Sequence, residues 1–138
     1  MLLEDYADLP DYMTIEELEN HFTELINFAE KASKIYDEKI SEALYELSDR
    51  QWHTYELLSD NLKEKLENWI NRAWDVKSPV LIENITSIIG RLGLVKSYEL
   101  VKKSIKQDNS DEIKEILETT IKEINEHIDD PYYSMKKQ

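Results

Sequence analysis

The chain has 138 residues, of which 41% are hydrophobic, with two glycines, three prolines and no cysteine. That length fits a single domain (1–138) with its own core; scarce glycine argues against hairpin-rich β folds and phosphate-cradling loops, and the missing thiols exclude disulfide frameworks and thiolate metal sites. A net charge of −13 repels nucleic acid and anionic membranes and speeds encounter with a basic protein.

The acidity is uneven. Residues 1–75 carry 19 Asp and Glu against 7 Lys and Arg, whereas residues 76–138 carry 11 against 10. Glu4, Asp5, Asp8, Asp11, Glu16, Glu17, Glu19, Glu24 and Glu30 all precede the first base, Lys31. Residues 1–13, with Pro10, Tyr6 and Tyr12, show no sustained period and read as an arm that packs locally or waits for a partner. They lack the basic start and long apolar run of a secretion signal, and no stretch approaches the roughly 20 apolar residues of a membrane span. The sequence thus predicts a cytoplasmic protein without membrane contact.

Thr14 and Glu17 have the spacing of a capping box, with Met13 as a staple residue, so a helix is predicted from Ile15. Ile15, Leu18, Phe22, Leu25, Ile26, Ala29 and Ala32 form its apolar stripe. The pattern continues through Ile35 or Tyr36, Ile40, Ala43, Leu44 and Leu47, as a second helix after a break near Ser33 or as a prolongation of the first. Residues 48–59 fit a short helix or an irregular connection. Ser59 or Asp60 can cap a further helix whose stripe is Leu62, Leu66, Trp69, Ile70, Ala73 and Trp74.

Ser78 and Pro79 are a strong helix start. Val80, Leu81, Ile85, Ile88, Ile89 and Leu92 then mark a buried side, and Gly93 suits a left-handed C-cap. A very short connection requires the next helix, near 95–107, to double back. Ser110 caps a last helix carrying Ile113, Ile116, Leu117, Thr120, Ile121, Ile124 and Ile128, ended by Asp130 and Pro131, with Tyr132 and Tyr133 tucked back against it. The expected fold is all-α: a compact bundle of about five to six helices, with a HEAT-like antiparallel helical stack in the second half.

No catalytic constellation emerges. The residues three positions before His21, His53 and His127 are Leu18, Arg50 and Ile124, so none completes the Glu-x-x-His motif of di-iron bundles. Walker loops, nucleophile elbows and His-Glu-x-x-His are absent. Carboxylate pairs are too abundant to mean hydrolysis without a substrate-sized pocket. No catalytic or metal-binding residue and no cofactor is assigned, and the three histidines read as structural or surface residues.

The segments NWINRAWDVKSPVLIENITSIIGRLGL and DEIKEILETTIKEINEHIDDPYY resemble the helical, HEAT-like immunity proteins of bacterial polymorphic toxin and contact-dependent growth inhibition systems, over about residues 60–133. The resemblance implies a cytoplasmic protein that binds and blocks a cognate toxin domain, often a nuclease with a basic cleft. On this reading Asp8, Asp11, Glu16, Glu17, Glu19 and Glu24 face Lys and Arg on the toxin, while Trp52 or Tyr55, set among polar neighbours, supplies the desolvated anchor. Two alternatives stay open. One is a helical-repeat adaptor that binds a protein, or a second copy of itself, through an apolar groove. The other is an inhibitor that mimics DNA with its carboxylates.

Overall fold

A computed structural model describes residues 2–124 and 127–132. Among them are six α-helices: α1 (Ile15–Lys31), α2 (Asp37–Trp52), α3 (Asp60–Ala73), α4 (Pro79–Leu92), α5 (Val95–Ser104) and α6 (Asp111–Ile124), with 3-10 turns at Leu3–Asp8 and Lys34–Tyr36. Among the described residues no helix is long and apolar enough to cross a membrane.

Local chemistry accounts for the helix starts. The Thr14 hydroxyl accepts from Glu17 N at 3.1 Å while the Glu17 carboxylate accepts from Thr14 N at 3.1 Å, closing the capping box. The backbone donor holds the Glu17 carboxyl below its ordinary pKa. Thr14→Ala keeps that backbone donor and removes the hydroxyl, which also donates to the Glu17 carboxylate at 2.9 Å, so it is expected to lower stability by about 1 kcal/mol and to return the Glu17 titration, followed by NMR, only partway toward the ordinary carboxylate value. Ser59, Ser78 and Ser110 cap α3, α4 and α6 through Leu62 N, Leu81 N and Ile113 N. Helix α5 has no side-chain cap of its own. Glu67 of α3 replaces it, accepting from Ser97 N at 2.7 Å and from the Ser97 hydroxyl at 3.0 Å.

The helices stack as antiparallel pairs in two layers. In one layer α2, α4 and α6 run in the same direction: Glu38 meets Ser78, Ser41 meets Asn84 and Tyr45 meets Arg91, and Gly90 packs toward Ile124. In the other, α1, α3 and α5 align, with Arg72 donating to Ala29 O at 3.2 Å and Trp74 donating to the Ser104 hydroxyl at 2.9 Å. The predicted helical stack is present and extends beyond the second half, because α1 and α2 form its first pair and α2 packs extensively against α4.

Burial explains where the apolar pattern misled. Helix α2 lies between α1, the first 3-10 turn and α4, and buries Ser41, Ser48, Arg50 and Gln51 as well as Ile40, Leu44 and Leu47. It is covered on several sides, so it lacks a single stripe. Ile35 and Tyr36 do not continue that stripe: they sit in a 3-10 turn and are exposed, Ile35 by 82%. Val80 is also exposed, at the first turn of α4. Trp74 is the C-cap of α3, half-buried, with its indole satisfied by Ser104. Helix α5 ends at Ser104, short of 107, and Ile128 lies in a turn past the described end of α6.

Candidate functional site

Arg50 organises the acidic arm. The side chain is nearly fully buried at the end of α2, and each of its five N–H donors has an acceptor. Nε donates to Pro10 O at 3.1 Å, Nη2 to Leu9 O at 2.8 Å and Ala7 O at 3.3 Å, and Nη1 to Glu46 O at 3.0 Å and Glu46 Oε1 at 2.9 Å. Residues 2–13 therefore pack against the bundle, with Tyr6 only 4% exposed and Lys39 bridging to Glu4 at 3.3 Å. Asp8 and Asp11, both exposed, flank the carbonyls that Arg50 holds.

The arm delivers Tyr12 to the far end of α2. Its ring lies 5.5 Å from the His53 ring, which stands edge-on to Trp52 at 5.7 Å. Trp52, Tyr55 and Tyr132 then form a triangular cluster: 5.8 Å from Trp52 to Tyr132, 5.5 Å from Tyr55 to Tyr132 and 6.4 Å from Trp52 to Tyr55, all tilted by 31 to 34°. The Tyr132 hydroxyl donates to Trp52 O at 2.9 Å, and burial pushes its pKa up. The sequence placed Tyr132 against the last helix; instead it tucks against the end of α2, because its hydroxyl finds an acceptor there, and Tyr133 lies outside the described residues.

Tyr55 occupies an unusual backbone state. Its φ is +60°, in the left-handed region, which disfavours a residue with a Cβ by about 1 to 2 kcal/mol. Its side chain remains 62% exposed although two rings pack against it. Trp52 is half-buried. Of the two aromatic residues assigned from sequence, Tyr55 is the outward one and Trp52 supports it.

The sequence-assigned carboxylates fall into two groups. Glu16 and Glu17 open α1 just after Tyr12, so they stand at the ring-bearing end of the bundle with Asp8 and Asp11. Glu16, Glu19, Glu24 and Glu30 form no ion pair among the described residues. Glu24 lies farther along α1, where its charge adds to burial in raising the Tyr6 hydroxyl pKa. There it borders a groove of about 580 Å³ whose apolar walls include Leu3, Tyr6, Leu25, Phe28 and Tyr36. Sequence reasoning missed this groove and the participation of Tyr12, His53 and Tyr132. Tyr12, an aromatic residue among acids in the arm, was the available signal.

Compared with known protein families, with curated proteins and with solved structures, the chain matches none. Among the described residues no group of His, Asp and Glu is arranged to hold a metal ion. The polar contacts around the rings are structural: Asp49 pairs with Arg91 at 3.2 Å, and Arg91 lies over the Tyr45 ring at 4.8 Å. What the arrangement offers is a surface of aromatic rings at the end of the bundle where Asp8, Asp11 and Glu16 form no ion pair among the described residues.

Proposed function

We propose that this protein is a binding module that neutralises a basic toxin domain, an immunity protein in the sense of the family that its second half resembles. The supporting observation is that Asp8, Asp11, Glu16 and Glu17 share one end of the bundle with the exposed rings of Tyr12 and Tyr55. Unpaired carboxylates steer a basic partner toward the surface, and a central aromatic anchor slows its departure. A nuclease cleft, which must be basic to hold its phosphates, is the partner such a surface suits.

The test uses the toxin domain that this reading expects to be encoded beside the gene. Changing Glu16, Glu17 and Glu19 together to Lys is expected to slow association at least about tenfold at low salt, with the salt dependence of the rate reduced in parallel. An unchanged association rate in stopped-flow measurements would sink the assignment of these residues.

A second reading, the adaptor, draws on the apolar groove between the first 3-10 turn and α1. It implies salt-insensitive binding that Phe28→Glu abolishes and the charge reversal leaves intact.

A further inference from the structure

We infer that the Trp52–Tyr55–Tyr132 ring set is a recognition site for an arginine side chain of the partner, selective for guanidinium over lysine ammonium. The inference rests on the proposed function for the existence of a basic partner, and adds which cation the surface reads and where.

Three observations converge. First, Tyr55 is the exposed member of the cluster: Trp52 and Tyr132 lie beside it with similar tilts, yet most of its surface stays in solvent. A planar, weakly hydrated guanidinium stacks on such a ring, whereas a compact, strongly hydrated ammonium gains less. Second, the surroundings are negative. Asp11 and Glu56 form no ion pair among the described residues, and the Glu56 charge reaches the Tyr132 hydroxyl. Among the described residues the Lys and Arg side chains that lie over rings are Arg91 on Tyr45 and Lys102 on Tyr98, neither of them on this cluster. Third, Tyr55 holds its place against its own backbone preference, at φ +60°. The Gln51 carboxamide donating to Glu56 O at 2.9 Å and the Thr54 hydroxyl accepting from Glu56 N at 3.1 Å fix the turn around it.

An arginine arriving here would lay its guanidinium on Tyr55 and direct its N–H groups at carboxylates beside the ring. That combination distinguishes the site from a diffuse acidic coat, which attracts lysine and arginine equally.

The experiment compares two acetylated pentapeptides of equal charge, Lys-Lys-Arg-Lys-Lys and penta-lysine, titrated into the full chain at low salt and followed by NMR of the Trp52 indole and Tyr55 ring. The arginine peptide is expected to bind about threefold to fivefold more tightly and to shift both signals. Tyr55→Gly removes the ring contacts and relieves the left-handed backbone, opposing effects of similar size, so this variant should unfold in urea near the parent's midpoint while losing the preference and keeping the residual attraction common to both peptides. Tyr55→Phe, which retains the ring face, should keep the preference. Equal affinities in the parent chain, a preference that survives Tyr55→Gly, or one lost in Tyr55→Phe would each overturn the platform. The outcome is separable from the proposed function, because the charge reversal lies on α1. An arginine preference with toxin association unaffected by that reversal leaves the platform standing and counts against steering by Glu16, Glu17 and Glu19; the opposite pair of results removes the platform alone.

Discussion

Replacing Arg50 with Met is expected to destabilise the fold by about 3 kcal/mol and to release residues 2–11 before the helices unfold. The substitution keeps most of the aliphatic stem and removes the fork that gathers three carbonyls from the arm, those of Ala7, Leu9 and Pro10. Breaking a buried charge from its partners costs about 3 to 5 kcal/mol in general. The lower end applies because Glu46, with 30% of its side chain exposed, regains water when its partner is lost. The arm's carbonyls regain water only if the arm lifts, so loss of stability and release of the arm are one event. Urea unfolding would report the first as a lower midpoint. Hydrogen exchange would report the second as lost protection at Asp5 and Leu9, whose amides bond to Leu2 O and Tyr6 O. Arg50→Lys keeps the charge and cannot span the same acceptors, so it should fall between parent and Met. An unchanged midpoint and unchanged arm protection in the Met variant would mean that Tyr6 burial alone holds the arm.

This clamp also marks the boundary of what the sequence could tell. Helix ends were legible because they are written in neighbouring residues: Thr14 with Glu17, Ser78 with Pro79, and Gly93 at +67°. Trp69 and Ile70 on a clean stripe were correctly placed in the core. Arg50 is charged and 40 residues from Pro10, and no local rule buries an arginine. The same holds for Ser41 and Gln51, polar residues enclosed because α2 is covered from several directions. Of the candidate surface, the acids and Trp52 and Tyr55 were visible as composition. Their association with Tyr12, His53 and Tyr132 depends on the arm folding back and on the C-terminal segment crossing the end of α4, both long-range events.

That crossing makes Gly93 the position where fold and surface are most closely coupled. Gly93→Ala is expected to destabilise the protein by about 2 to 3 kcal/mol and to disturb the ring set some distance away. The backbone term comes from φ +67°, which alanine resists. The packing term comes from an added Cβ that would meet Ile128 O at 3.0 Å and the Pro131 ring at 3.2 and 3.3 Å. A backbone oxygen cannot rotate away as a side chain tip can, so the segment from Ile128 to Pro131 must shift. Tyr132 follows directly, and with it the bond to Trp52 O and the ring contact with Tyr55. The two terms separate with Gly93→Asn, because asparagine tolerates the left-handed region yet carries a Cβ. It should recover much of the stability in urea while still displacing the Trp52 indole resonance. If Gly93→Asn leaves that resonance in place, the close approach of Pro131 does not position the rings. If Gly93→Ala is as stable as the parent, the α4–α5 reversal can adopt another geometry. Movement of the indole signal in both variants, with a stability difference between them, would show that Gly93 serves the surface through proximity and the fold through conformation.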